Sequence, residues 1–361
     1  MKRIILAALL STTALHAEEF NEATLLEAAR TEAPLLVIDS TGKVRAQARA
    51  FGERYGLEIN GTKSKAPATI RMVVGEAQAG NVQADVITVS DTPAATAQLL
   101  EPGYAVSYVP SDMMGVIPEG SRDPLVVSNS PVVWSYNTAL NDSCPVSNIW
   151  DLTDETWTGR VSMPDPLAKP AYTDWFNQMA MHHDDKIAAA YEAKFGESFE
   201  GDSATEAWVT ALAANQPLLT SSDSDVAKAV GSPDATENFV GIMSTAKFRD
   251  NEEGMTLGIC AGMEPMIGLL TPKFLMITAD TDSPNAAKLY VHYLLTEEGW
   301  APQALDGKMA TNTSHGVPEG EPSGVMNYLD QLWVYNTDTS SDDWATRQDW
   351  QDIWSLARAG Q

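Results

Sequence analysis

Short apolar runs alternate with amphipathic stretches from Pro34 onward. Leu35-Leu36-Val37-Ile38 is apolar throughout, which predicts a short strand buried on both faces. Residues 43–55 place Val44, Ala48, Phe51 and Tyr55 at helical spacing, Gly56 supplies a stop, and residues 57–59 restart a strand. Together they read as one βαβ unit. Pro67 opens a helix that keeps Ile70, Val73, Val74 and Ala77 on one face, and Gly80 closes it. Residues 84–89 give a third strand, followed by a helix over 93–100. Strands that alternate with helices predict a parallel sheet covered on both faces.

Over residues 103–130 the pattern breaks into Tyr, Pro, Gly and Ser with short extended pieces, as where a chain passes from one domain to another. A second unit follows. Residues 131–136 and 159–163 read as strands, 149–152 as a helical turn, and Pro164-Asp165-Pro166 as a loop. Helices are predicted over 172–182, 185–195 and 204–214. Residues 218–220 form a strand that runs into Ser221-Ser222-Asp223-Ser224-Asp225, where a helix through Val230 starts, and 239–243 form another strand. A strand over 273–278 and a helix over 284–295 repeat the style of the first unit, so the chain is expected to return to it. The tail, with Trp333, Trp344, Trp350 and Trp354 among acidic residues, reads as helical packing and not as a further domain.

The N-terminus needs a separate account. Lys2 and Arg3 precede an apolar run over residues 4–15 that is too short to span a bilayer, and Ala17 offers a small residue for cleavage, so residues 1–17 read as a secretory signal peptide. No Cys follows to carry a lipid. Residues 259–279, the most apolar later stretch, are interrupted by Glu264, Pro265, Pro272 and Lys273, and no membrane insertion is expected. In an oxidising compartment Cys144 and Cys260, the only cysteines, could pair; two buried thiols are the alternative. With 361 residues, 44% of them hydrophobic, the chain can bury at least one sizeable core. Its 49 acidic against 23 basic side chains, a net charge of −26, repel nucleic acid and anionic lipid over most of the surface.

Several local signatures occur in a distinctive order. They are Asp39-Ser40-Thr41-Gly42; Glu76-Ala77-Gln78-Ala79-Gly80 leading to Ala84-Asp85-Val86; and Val132-Val133-Trp134-Ser135-Tyr136-Asn137. Trp150-Asp151-Leu152 then precedes Trp157-Thr158-Gly159-Arg160-Val161-Ser162-Met163-Pro164-Asp165-Pro166, and Ser283-Pro284-Asn285-Ala286-Ala287 leads to Leu294-Leu295-Thr296-Glu297-Glu298-Gly299. In this order the chain resembles the periplasmic solute-binding proteins of ABC importers, in the group with ferric-ion, thiamine, polyamine and phosphonate binders. The resemblance implies an α/β, two-lobe, type II periplasmic binding fold, each lobe a mixed sheet flanked by helices and joined by crossover strands. Residues 18–112 and 260–305 would form lobe 1, and 113–259 with 306–361 lobe 2. It also implies a monomer in the periplasm that closes about a small-molecule ligand and delivers it to a permease and its ATPase. The ferric branch binds metal through adjacent tyrosines after the late strand. Here that stretch reads Val240-Gly241-Ile242-Met243-Ser244-Thr245-Ala246-Lys247-Phe248, without tyrosine, which argues against the usual ferric site.

The residues themselves suggest an oxyanion. Ser40, Thr41 and Gly42 lie between a strand and a helix, where hydroxyls and unpaired N–H groups can converge on negative charge. Ser221, Ser222 and Ser224 occupy a similar junction in the second unit, and the nearby loop Ser90-Asp91-Thr92 could add hydroxyls. Two such junctions facing one cleft could grip a phosphonate or phosphate ester without a fixed cation. Asp91 and Asp165 could meet an amine on a zwitterionic ligand, or on a polyamine or thiamine, while Trp134, Tyr136 and Tyr172 could form an aromatic wall. Helix capping explains the same Ser, Thr and Asp residues equally well at any one junction. Lys63, Lys65 and Arg71 read as solvated surface. No nucleophile elbow, P-loop, H-E-x-x-H or dinucleotide fingerprint is present, so no enzyme activity and no cofactor are expected. The readings left open are a ferric binder with non-tyrosine ligands, a polyamine or thiamine binder, a sensor or adhesion module, and a secreted hydrolase.

Overall fold

The computed structural model describes residues 19–316 and 320–360; the expected signal peptide lies outside them. Twelve strands occur among these residues. They are β1 (Leu35–Asp39), β2 (Ile59–Lys63), β3 (Val86–Val89), β4 (Ala105–Val106), β5 (Val126–Asn137), β6 (Val161–Pro164), β7 (Leu218–Thr220), β8 (Val240–Ser244), β9 (Leu257–Ile259), β10 (Gly268–Thr278), β11 (Met309–Ala310) and β12 (Leu332–Val334). Their main path runs β2-β1-β3-β10-β5-β8-β6-β7.

In the first lobe β1 pairs in parallel with both β2 and β3, the expected βαβ arrangement. The helix Val44–Tyr55 packs so closely on β2 that a Cβ at Gly61 would lie 2.6 Å from the Val44 carbonyl oxygen, and only glycine fits there. One face of this sheet buries Leu35, Val37, Phe51 and Tyr290, and the other Ile38, Ile70, Ile87 and Leu99. The sheet is mixed because β10 joins β3 antiparallel, with Phe274 opposite Val89.

In the second lobe β6 is parallel to both β7 and β8. Its core gathers Trp134, Trp150, Trp175, Trp208 and Trp354. Of the expected helical packing in the tail, the helix Ser340–Ala359 buries Trp350 and Trp354 on that core, whereas Trp344 on the same helix is exposed and Trp333 lies on β12, paired with β10. Cys144 and Cys260, 116 positions apart in sequence, form a disulfide that ties the segment after β5 to the one after β9, with Cα atoms 4.9 Å apart.

Two long strands are shared by both lobes. β5 and β10 run antiparallel, with Gly268 opposite Val133 and Lys273 opposite Ser128. The outer edge of β5 pairs with β11 near Ser128 and with β8 from Val132 to Ser135; that of β10 pairs with β12 at Gly268–Leu270 and with β3 from Phe274. Both strands are longer than the pattern predicts. Ser128, Asn129 and Ser130 read as loop and Pro272 as a break, yet these residues pair across the crossing of the two lobes. The helices Glu22–Ala29 and Glu297–Ala304 also lack a strong apolar stripe in sequence. Among the described residues no helix is long and apolar enough to cross a membrane.

Candidate functional site

The crossing of β5 and β10 forms the floor of a cavity of about 180 Å³. Side chains alternate along a strand, so Ser130 and Val132 of β5 share a face with Leu269, Thr271 and Lys273 of β10. Thr271 lies opposite Ser130, and Leu269 opposite Val132. Ser40 and Ser90 line the cavity just beyond the C-terminal ends of β1 and β3, and Ser244 does so at the end of β8. Open α/β sheets place ligands beyond these strand ends. Tyr172 and Trp175, on the helix Ala171–His182, form an aromatic wall.

Fixed charges converge on the same space. Lys273 is 3% exposed and forms an ion pair with Asp39, whose carboxylate also accepts from the Thr41 N–H at 3.1 Å and from Gln303 Nε2 at 3.3 Å. Burial alone would raise the Asp39 pKa; Lys273, Lys308 and the Thr41 N–H outweigh it and hold the carboxyl below its ordinary value. Lys308 Nζ donates to Gln303 Oε1 at 3.1 Å. Burial, then repulsion from Lys273, brings its pKa down to about 8. Across the cavity Lys169 bonds both oxygens of Asp223 at 3.0 and 3.1 Å and lies 5.3 Å from the Tyr172 ring centroid. The buried Tyr172 hydroxyl has no partner among the described residues, and burial followed by the Asp223 charge raises its pKa well above the ordinary value.

The cavity gathers three of the residues singled out in the sequence, Ser40, Ser90 and Tyr172. The others are engaged elsewhere. Thr41 and Gly42 turn the chain around Asp39, and Thr41 Oγ1 accepts from the Lys43 N–H. Asp91 caps the helix Thr92–Ala95 and is bound by Arg347. Ser221 and Ser222 donate to Asp225 at 2.9 and 2.7 Å, and Ser222 caps the helix Asp223–Gly231, so the capping explanation holds at that junction. The Asp165 carboxylate accepts from the Leu167 N–H within its own turn. Tyr136 packs over Gly258, where a Cβ would meet its ring at 2.8 Å.

The sequence reading missed the lysines. Lys169, Lys273 and Lys308 lie more than a hundred positions apart or on separate elements, and no local spacing connects them. The one available signal was Lys273 itself, a cation amid the apolar run Phe274-Leu275-Met276-Ile277. A buried lysine needs a partner, which makes such a position informative. The sequence predicts a grip without a fixed cation; the cavity is lined by three lysines, two of them paired with Asp39 and Asp223.

The model of the family described as bacterial extracellular solute-binding protein matches residues 39–304. No curated protein sequence matches the chain. Among solved structures, the ferric binding protein from Campylobacter jejuni is similar at TM-score 0.69 and 15% identity, covering 90% of this chain and 99% of that one. The periplasmic binding protein AfuA from Actinobacillus pleuropneumoniae, with exogenous fructose-6-phosphate bound, is similar at TM-score 0.66 and 20% identity, covering 90% and 99%. MotA from A. tumefaciens B6, in complex with glucopine, is similar at TM-score 0.63 and 14% identity, covering 90% and 100%. At these identities the likeness shows the fold, two α/β lobes.

Proposed function

The chain belongs to the bacterial extracellular solute-binding proteins, solute-capturing components of ABC transporters, and from that premise we propose that its cleft takes a small anionic solute. The observation that carries this reading is the convergence of Lys273 and Lys308 on one cavity of a protein whose net charge is −26. Asp39 neutralises one of the two and is already saturated by Lys273, Thr41 and Gln303, so one positive charge is left for a ligand. Charge-assisted hydrogen bonds from such groups are the strong ones. The hydroxyls of Ser40, Ser90, Ser130 and Ser244 surround the same space and suit the several oxygens of a phosphate ester or phosphonate. The Tyr172 hydroxyl is a donor still to be used, and the Tyr172 and Trp175 rings would cover the rest of the solute.

A zwitterionic solute fits the same site if its amine displaces Lys169 from Asp223. Polyamines, thiamine and ferric ion fit less well. The one positive charge left after Asp39 and Asp223 pair with lysines repels them, and burial keeps Tyr172 protonated, whereas a hard trivalent cation asks for a phenolate. The protein would act in the periplasm as a monomer without catalysis or cofactor. It would close its lobes by bending at the middle of β5 and β10, then deliver the solute to a permease coupled to an ATPase. In this reading the lobes divide within those two strands, which moves residues 113–127 to the first lobe and 260–270 to the second relative to the sequence expectation. The packing of Ile117, Leu125 and Val127 with Phe51, and of Met263, Met266 and Ile267 with Trp134, supports that division.

Thermal unfolding of ligand-stripped protein tests the proposal. The panel holds inorganic phosphate, fructose 6-phosphate, an aminoalkylphosphonate, a sulfonate, spermidine, thiamine and ferric ion with carbonate. A solute at one hundred times its Kd adds about 2.7 kcal/mol to stability. A selective rise with a phosphate or phosphonate is expected; a rise with spermidine, thiamine or ferric ion alone would overturn the anion reading.

A further inference from the structure

Directly behind the aromatic wall lies a buried ion cluster that the binding site does not use. Arg347, on the helix Ser340–Ala359, donates through Nε and Nη2 to the two oxygens of Asp174 at 2.8 and 2.7 Å. The same guanidinium reaches Asp91 through Nη2 at 2.6 Å and Nη1 at 3.4 Å. All three residues are buried, Asp174 most of all at 2% exposed. The Trp344 ring centroid lies 4.8 Å from the guanidinium carbon and helps hold its orientation.

The two carboxylates belong to different lobes. Asp91 opens the helix whose Ala94 and Ala95 pack with Ile38, Ile87 and Leu99 of the first lobe. Asp174 sits on the helix Ala171–His182, whose Trp175, Phe176 and Met179 pack in the core of the second. The helix Ser340–Ala359 belongs to the second lobe through Trp350 and Trp354, and touches the first again where Ser341 Oγ donates to Glu101 Oε1 at 2.7 Å. Both partners of Arg347 adjoin the cavity in sequence. Ser90, which lines it, precedes Asp91; Tyr172 and Trp175, which line it, flank Asp174. The Arg347 guanidinium therefore bridges the two walls.

We propose that Arg347 is an interlobe latch, a positioning residue that holds Asp91 and Asp174 together and so biases the cleft toward the closed arrangement in which Ser90 faces Tyr172 and Trp175. The inference rests on the reading that the lobes open and close about a solute. Its energetic basis is the cost of separating the three groups. Opening this seam must either hydrate a guanidinium and two carboxylates or leave one of them buried without a partner, and the latter is strongly unfavourable. Burial opposes the charge on Arg347, and Asp174 and Asp91 outweigh it, holding its pKa above the ordinary value. Burial likewise pushes Asp174 up to about 7, and Arg347 keeps it from rising further.

The test reads the distance between the lobes without any solute. Lys63 at the end of β2 and Thr210 on the helix Ala204–Ala214 are exposed, and Lys63→Cys with Thr210→Cys gives two labelling sites beside an intact native disulfide. Pulsed electron resonance between spin labels there reports the separation in the full mature chain. Arg347→Gln should shrink the short-distance population, and Arg347→Lys, which keeps the charge but cannot fork across two carboxylates, should restore part of it. Asp91→Asn keeps an effective helix cap and one acceptor while removing a charge, so it tests the latch even where Arg347→Gln does not fold. It should also move the distribution outward. Unchanged distributions in Asp91→Asn and Arg347→Lys would overturn the proposal, even if a solute from the panel binds. An outward shift supports the latch even if every solute in that panel fails, which would sink only the binding reading.

Discussion

At the scale of single residues the cavity depends on how its lysines are held. Lys308 titrates near 8 because burial and Lys273 disfavour its charge. A bound anion favours that charge and raises its pKa in the complex. Affinity for a phosphate ester should therefore be full below about pH 8 and weaken above it, by at most about tenfold per pH unit. The second ionisation of such an ester, near 6, is complete over this range and adds no slope of its own. Calorimetric Kd values from pH 7 to 9.5 would show the bend; Lys308→Met should bind more weakly and lose it. A wild-type profile as flat as that of the variant would exclude Lys308 from the site. Lys273→Met should act differently, because it strands Asp39 at 3% exposure. Breaking a buried pair from one side costs about 3–5 kcal/mol, so urea unfolding of Lys273→Met should show a loss of that size. Ser40, Ser90 and Tyr172 were legible in the sequence because strand ends and aromatic residues carry a local pattern. Lys273, Lys308 and Lys169 were not, because only the tertiary path brings them together.

Among elements, the helices were the most legible. Residues 204–214 were predicted with the bounds Ala204–Ala214 that the structure has, since Trp208, Val209 and Leu212 mark one buried face. The long strands were read only in part, and the reason is functional geometry. The middle of β5 carries Ser128, Asn129 and Ser130, and that of β10 carries Thr271, Pro272 and Lys273; these polar residues and a proline face the cavity or lie where the edge pairings change, where an ordinary buried strand would be apolar. The disulfide works on the same strands from the far end. Cys144 and Cys260 close a loop of 116 positions that contains most of the second lobe. Closing a loop of that length is worth about 2–5 kcal/mol. Cys144→Ala with Cys260→Ala should lower the urea midpoint by the corresponding amount. The anion site, which contains neither residue, should keep its Kd at temperatures where the variant stays folded.

For the whole molecule, binding and shape are two sides of one equilibrium between open and closed lobes. A ligand that prefers the closed state draws the population toward it, and its apparent Kd is the intrinsic value divided by the closed fraction. Arg347 acts on that fraction and touches nothing that a solute would touch. The consequence is quantitative. If Asp91→Asn lowers the closed fraction of the ligand-free protein by some factor, the apparent Kd for a bound phosphate ester should rise by the same factor, because the intrinsic contacts are unchanged. Solution scattering provides the second measurement. A chain of this length has a radius of gyration of about 20 Å, and the ligand-free variant should be more expanded than the ligand-free wild type. At saturation the two should converge on one compact value, since the closed state itself is the same. A variant that binds more weakly with an unaltered ligand-free envelope would place Asp91 in direct contact with the solute. A variant that stays expanded at saturation would mean that the bound state does not require the two walls to meet.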